Sequence, residues 1–318
     1  MGAFHARTVA ASDLIDVVAI ADVDEAAAAS VAAEIGAAVH SSPARMAESG
    51  DAEAWLIATP TTTHPEVVRL ALEAGVHVFC EKPLALDPDE SDGLGTEAES
   101  RGLLLQVGFW RRFAPPWAVA RELIAAGAIG RPLLLRLSQW DADPPPAAFC
   151  DPTSSGGLAV DCGVHEFDLA EWLTGLAITR VTARNLPLVD ESLAAVGDVD
   201  NLVAVLDLEG GAAATVDLSR NCRYGDDVRT EILGADGAIF IDLLPTSRTR
   251  LATGAGVETM ERSVVEDAFA AGVKEQAEVF ARAVRGEAVD FPGADASSRA
   301  VAIGLAVRRA ATAGPVAV

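Results

Sequence analysis

Three groups of residues are spaced for chemistry. Glu81-Lys82-Pro83 directly follows the apolar run Val76-His77-Val78-Phe79-Cys80. An ammonium at the end of a buried strand can hold a substrate hydroxyl and lower its pKa. Only two lysines occur in the chain, Lys82 and Lys274, and an ammonium, unlike a guanidinium, can give up its proton. By position alone, a strand-ending turn with solvated charges explains the tripeptide equally well. The second group lies in Gly156–Asp168, where Asp161, His165 and Asp168 are spaced by four and three. That spacing puts them on one face of a helix predicted to start near Asp161. A carboxylate one turn before an imidazole orients the ring and favours its protonated form, as a general acid/base needs. The plainer alternative is an N-cap aspartate and a histidine satisfied by packing. The adjacent Gly156-Gly157, which permits close backbone approach, favours the chemical reading. The third group is Asp22, closing the run Val17–Ala21. An acidic residue there can accept hydrogen bonds from an adenosine ribose diol. Asp24 and Glu25 follow closely and would repel a 2′-phosphate, so NAD is expected rather than NADP.

These residues need a scaffold, and the first third of the chain provides one. Apolar runs at Val17–Ala21, Ala38–His40, Ala54–Ala58, Val76–Cys80 and Leu103–Val107 alternate with Ala- and Glu-rich helical stretches. Strands buried on both faces and joined by crossover helices make a doubly wound parallel sheet, whose ligands bind beyond the carboxyl ends of the strands. After about Phe113 the pattern changes. A helix near Trp117–Ala126 and a strand at Leu133–Leu137 precede a Pro-rich loop, Pro144-Pro145-Pro146, and a helix from Gly163 to Leu173. Strand-like segments follow at Ile178–Ala183, Asn201–Leu208, Ala212–Leu218, Val228–Leu233 and Ala238–Leu243, with Gly210-Gly211 and Ala235-Asp236-Gly237 as hairpin turns. Helices near Asp267–Arg285 and Ser297–Ala311 end the chain. The fold class is α/β: a Rossmann-type parallel sheet over 1–113, then an α+β domain with a large, mainly antiparallel sheet over 114–318.

Composition narrows the function classes. The 318 residues carry 24 Lys plus Arg against 47 Asp plus Glu, a formal charge of −23. That balance repels phosphate backbones and acidic lipid surfaces, which excludes nucleic acid and membranes as partners. No uncharged apolar run approaches the ~20 residues needed to cross a bilayer, and charges near the start break any secretory signal. Cys80, Cys150, Cys162 and Cys222 form no CxxC pair, so a reduced cytoplasmic protein without a metal site is expected.

Taken together, the chain resembles the glucose–fructose oxidoreductase/inositol dehydrogenase (Gfo/Idh/MocA) family along essentially its whole length. The resemblance rests on Ala58-Thr59-Pro60 with His64, Glu81-Lys82-Pro83, Gly108-Phe109-Trp110-Arg111-Arg112-Phe113, Gly156–Asp168 and Arg223-Tyr224-Gly225. Arg111-Arg112-Phe113, Asp143-Pro144 and Tyr224-Gly225 are most similar to the inositol dehydrogenase branch; Tyr224 is the only tyrosine. The resemblance implies hydride transfer on polyols or sugars, with Lys82, Asp161 and His165 in the catalytic places. It implies Gly2, Asp22, Thr59, Pro60, Thr61, His64, Glu81, Lys82 and Arg112 as NAD-binding positions. For the substrate it implies Lys82, Arg112, Asp143, Asp161, His165 and Tyr224. It also implies a homodimer or homotetramer built on the open face of the second sheet. One departure stands out. The family begins with a strand and a G-x-G-x-x-G turn, whereas Met1–Arg7 matches only the end of that turn and the following helix, with Gly2 as the third glycine. A start assigned too far downstream is the expected cause, leaving a gap between the strands that end at Asp22 and Ala58.

The reading is an NAD-dependent dehydrogenase that oxidises a secondary hydroxyl of a cyclic, inositol-like polyol or sugar. A non-catalytic NAD- or sugar-sensing regulator of the same fold, or a dehydrogenase of another sugar or nucleotide sugar, are the alternatives. Retention of Lys82, Asp161 and His165 together argues against the regulator.

Overall fold

The computed structural model describes residues 1–242 and 248–318. The chain forms two compact units, 1–110 with 272–298, and 111–271 with 299–318. In the first unit, helix α1 (Gly2–Ala10) leads to strand β1 (Ala19–Ala21), α2 (Glu25–Ile35), β2 (Ala38–His40), α3 (Pro43–Ser49) and β3 (Ala54–Ile57). Helix α4 (His64–Glu73), β4 (His77–Cys80), α5 (Pro88–Ser100) and β5 (Leu105–Val107) complete the alternation. Local sequence explains the boundaries. Asp24 caps α2 by accepting from the N–H groups of Ala26 and Ala27, and Gly36 closes it in the left-handed region. Asp87 caps α5, which has Pro88 in its first turn.

All ladders in this unit are parallel, as in a Rossmann-type sheet, and they come in two pieces. β1 pairs with β2, while β3, β4 and β5 form a separate three-stranded sheet. Among the described residues no ladder joins β1 to β3, and the interruption falls at the expected gap. Burial follows it: every residue of β1 is only half-buried, whereas β5 is buried throughout.

The second unit opens with α6 (Pro115–Ala125) and β6 (Pro132–Trp140). The Pro-rich segment then forms two one-turn helices, α7 (Ala147–Cys150) and α8 (Pro152–Ser155), where the sequence suggested only a loop. Next come α9 (Leu158–Asp161), α10 (Gly163–Thr174), β7 (Ile178–Asn185), β8 (Asn201–Leu208), β9 (Ala213–Ser219), β10 (Asp227–Gly234), β11 (Gly237–Asp242), β12 (Arg248–Thr253) and β13 (Gly256–Thr259). Helices α11 (Ala268–Val284) and α12 (Ala294–Ala313) and strand β14 (Val316–Ala317) end the chain. The last residue of the predicted strand Ala238–Leu243 lies outside the described residues.

Among the described residues nine strands join in the order β13-β12-β11-β10-β6-β9-β8-β7-β14. The sheet is antiparallel except where β6 runs parallel to β9. Along β8 the alternation is clean: Leu202, Ala204, Leu206 and Leu208 are buried, while Asn201, Val203, Val205 and Asp207 are not. One face is therefore packed against helices and the other is open.

The unit boundaries differ from the division at 113/114, because residues 272–298 return to the first unit. Ala277 and Phe280 pack with Val9 and Phe79. The Gln106 side-chain amide donates to the Gln276 carbonyl at 2.8 Å, and Leu84 N–H donates to Ser297 Oγ at 3.0 Å. These partners lie 170 and 213 residues apart in sequence, a separation that helical periodicity does not encode.

Candidate active site

In the first unit the candidate residues gather at the carboxyl ends of β3 and β4. Glu81 and Lys82 follow β4, and the Lys82–Pro83 peptide is cis. Glu81 is anchored from both sides: His5 Nε2 lies 2.6 Å from Oε1, and Lys82 N–H donates to Oε2 at 3.1 Å. Burial pushes the Glu81 carboxyl up, but the His5 ring and the neighbouring Lys82 charge outweigh it and hold the group below the usual carboxylate range. The carboxylate fits because residue 108 is glycine; a Cβ there would stand 3.1 Å from it. His5 is fully buried, packs edge-on against Phe79, and its Nδ1 has no partner among the described residues.

Thr59, Pro60 and Thr61 continue from β3 into α4. Thr63 Oγ1 donates to Thr59 Oγ1 at 2.9 Å or to the Pro60 carbonyl at 2.8 Å. His64 stitches the two strand-end loops together, with Nδ1 2.8 Å from the Pro83 carbonyl and Nε2 2.9 Å from the Thr59 carbonyl. Its ring is buried, and burial holds its pKa below the ordinary value despite the two carbonyls. His64 is thus placed between backbone groups, as a tie rather than as an outward-facing donor.

Two features bear on NAD. Gly2 opens α1, and a Cβ on it would lie 4.0 Å from the Ala58 Cβ. The positive end of a nine-residue helix therefore stands beside the end of β3, where a pyrophosphate is favoured. Asp22 is exposed just after β1; its Oδ1 accepts from Asp24 N–H at 2.9 Å, so the residue also supports the turn into α2. An acidic strand end, a helix N-terminus and two strand-end loops fit a dinucleotide.

In the second unit Asp161 and His165 lie on consecutive helices. Asp161 does not begin the helix, contrary to the expectation from spacing. It is the last residue of the one-turn α9, and Cys162, itself helical in φ and ψ, joins α9 to α10. His165 and Asp168 stand on α10 and are buried. Asp161 Oδ2 accepts from Arg220 Nη2 at 3.1 Å. The double glycine also has a different partner from the one expected: at Gly157 (φ +73) a Cβ would stand 2.6 Å from Asp198 Oδ1, and at Gly156 2.4 Å from Val160 Cβ. The close approach is to the protein's own carboxylate and core.

Arg112 forms a two-pronged ion pair with Asp168, at 2.5 and 2.9 Å, and its guanidinium lies over the Trp172 ring. Beside it, Arg111 pairs with the fully buried Glu166 and donates to Gln139 Oε1 at 2.8 Å. Gln139 continues the chain to Asp141, which also receives the Cys162 thiol. Burial pushes the Glu166 carboxyl up against the pull of Arg111. Tyr224 is exposed and donates to Asp227, whose carboxylate is also held by Arg229; Asp143 is exposed.

Sequence reasoning missed His5, Asp198 and Arg220, and singled out Arg111 and Glu166 only as parts of motifs. His5 stands among apolar neighbours, but Arg220 lies in a polar stretch and Asp198 beside Gly197, and each partner is remote in sequence.

Comparison with known proteins identifies the family. Residues 1–109 match the model described as "Oxidoreductase family, NAD-binding Rossmann fold", and residues 117–240 match the GFO/IDH/MocA C-terminal domain. The chain is 36% identical to scyllo-inositol 2-dehydrogenase (NAD(+)) of Bacillus subtilis over 246 residues, covering 77% of this chain and 71% of that protein. It is 37% identical to myo-inositol dehydrogenase Hyg17 of Streptomyces leeuwenhoekii, covering 92% and 86%. A solved myo-inositol dehydrogenase from Corynebacterium glutamicum superposes with a TM-score of 0.86 at 26% identity, covering 100% of this chain and 95% of that one. With both halves matched in order and the Glu81-Lys82-Pro83 and Asp161–His165 motifs in place, the chain belongs to the GFO/IDH/MocA family of oxidoreductases, with an NAD-binding Rossmann domain.

Proposed function

We propose that the protein is an NAD-dependent dehydrogenase oxidising a ring secondary alcohol of an inositol-like polyol to the ketone. The observation that carries this reading is the joint presence of Lys82 after β4 and the Asp161–His165 pair on α9 and α10, in a chain similar to inositol dehydrogenases. Bound NAD supplies the hydride acceptor at nicotinamide C4. Gly2 at the start of α1 and the Thr59–Thr61 loop would hold its phosphates, and Asp22 would hold its ribose hydroxyls. His165 accepts the proton of the reacting hydroxyl on its ring nitrogen. Lys82 is assigned the stabilisation of the negative charge that develops on the substrate oxygen. Asp161 keeps the imidazole oriented and favours its charged form once the proton has moved. Glu81, fixed by His5, sets the start of the loop that carries Lys82. Arg112, Asp143 and Tyr224 contribute to polyol binding, Arg112 through the carboxylate of Asp168 that it orients.

The open face of the nine-stranded sheet, with Val205 and Leu233 exposed on it, is the surface by which copies would associate as a dimer or tetramer; light scattering reads that state directly. A cytoplasmic setting suits the four buried cysteines, none of which forms a disulfide. Among the described residues no helix is long and apolar enough to cross a membrane.

The test is absorbance at 340 nm with NAD and a panel of myo-inositol, scyllo-inositol, glucose and a nucleotide sugar. The reading expects NADH with at least one inositol. Activity confined to the nucleotide sugar would reassign the substrate, and none with any member would favour the regulator.

A further inference from the structure

Arg220 follows β9 in a polar stretch, Ser219-Arg220-Asn221, that looks like solvated loop, yet its side chain is 1% exposed. Its guanidinium spans two carboxylates, with Nη2 3.1 Å from Asp161 Oδ2 and Nη1 3.0 Å from Asp198 Oδ2. Asp198 in turn accepts from Leu158 N–H, 3.1 Å from each oxygen. Leu158 and Asp161 are the first and last residues of α9. One carboxylate therefore grips the start of this one-turn helix directly and its end through Arg220, closing a ring of contacts. Gly157 is the condition for that ring, since a Cβ at this position would occupy the space of Asp198 Oδ1.

A role in stability alone explains Arg220 poorly. Burying a guanidinium between two acids carries a large desolvation cost, and an apolar side chain filling the same volume is often as stable. Among the described residues the Nε–H of Arg220 is also buried without a partner. What the arrangement does provide is direction, because a planar fork with two arms can hold two carboxylates in fixed relation and an ammonium cannot.

We infer that Arg220 is a positioning residue that fixes the orientation of Asp161 by tying it to Asp198, and so acts on the chemistry only through Asp161. This rests on the reading that Asp161 belongs to the acid/base group. The test is a double-mutant cycle of Asp161→Asn and Arg220→Gln, with kcat and KM for the inositol and NAD affinity measured for every variant. Hydrogen exchange of the 158–162 amides is followed alongside.

R220Q should lower kcat on the order of 10²-fold with NAD affinity within about twofold, and should cost less than about threefold in the D161N background. Exchange of the 158–162 amides should quicken in R220Q. Should R220Q fail to bind NAD, the cycle is repeated with Arg220→Lys, which keeps the charge but cannot span both acids and is held to the same non-additivity. An equal loss from the Arg220 change in both backgrounds, or an unchanged kcat, would overturn the inference. A wild-type kcat in D161N alone would instead overturn the role of Asp161, whatever Arg220 does.

Discussion

In the first unit Asp22, Thr59, Glu81 and Lys82 follow short parallel strands, Gly2 and His64 open helices, and mainly backbone ties hold the strand-end loops in place. His64 lies between two carbonyls, Thr63 turns back on Thr59 and Pro60, and Asp22 accepts from Asp24 N–H. In the second unit Asp161, His165 and Asp168 stand on helices, and arginines grip the acids: Arg112 on Asp168, Arg111 on Glu166, and Arg220 on Asp161 and Asp198. The difference matches what each unit is read to do. A dinucleotide is recognised by strand ends and helix termini, which need exposed, modestly tuned groups. Proton transfer needs fixed angles, and buried ion pairs supply them at a high cost to any variant that leaves one charge behind.

The strongest test of that contrast is catalytic. His165→Ala should lower kcat on the order of 10²–10⁴-fold, the usual contribution of a positioned acid/base, with NAD affinity nearly intact. Lys82→Arg should be almost as damaging although the charge is kept, because a guanidinium is larger and does not share its proton. Steady-state kinetics with a confirmed inositol check both, and full activity in either variant would make that residue structural. In stability the contrast is sharpened by Glu166→Ala, which leaves the Arg111 guanidinium buried without its main counter-charge. A loss of about 3–5 kcal/mol is expected in chemical denaturation; a loss below ~1 kcal/mol, the range of a surface pair, would show that Arg111 re-solvates.

Smaller effects belong to the first unit. Asp22→Ala should weaken NAD by roughly tenfold to a hundredfold, about one charge-assisted hydrogen bond, and should weaken NADP less. One carboxylate oxygen already accepts from Asp24 N–H, so calorimetry showing unchanged NAD affinity would mean that Asp22 only supports the turn into α2. The smallest effect concerns pH. Burial lowers the His64 pKa from 6.5, so below that value the unfolded chain takes up a proton that the folded one refuses. Its contribution is fully present above pH 6.5 and lost as pH falls toward the folded pKa, with a slope of at most about 1.4 kcal/mol per pH unit. His64→Gln should flatten the decline in stability between pH 7 and 5; an identical slope would mean that His64 titrates normally.

Where function depended on neighbours in sequence, the residues could be read. Helix α2 runs between Asp24 and Gly36 as its capping chemistry predicts, and β8 spans Asn201–Leu208 as its alternation predicts. Lys82 and His165 stood out as rare residue types, one at a strand end and the other at helical spacing from Asp161. Where function depended on distant partners, the sequence was silent or misleading. Gly156-Gly157 reads as a ligand-facing turn, yet one of its partners, Asp198, is 40 residues beyond Leu158. Asp161 reads as the start of a helix because its spacing to His165 is helical, and the helical Cys162 between α9 and α10 preserves that spacing while moving the boundary. His5 lies 76 residues from Glu81, and no periodicity links them.

Hydride transfer to NAD is read by following the hydrogen that moves. Myo-inositol deuterated at the reacting carbon is incubated with NAD and the wild-type protein, and the reduced dinucleotide is weighed by mass spectrometry. The wild type should give a one-deuteron gain in the nicotinamide ring, and His165→Ala a much slower gain at equal NAD occupancy. No transfer from any inositol to the dinucleotide by the wild type, or transfer at the same rate by His165→Ala, would contradict the proposed reaction.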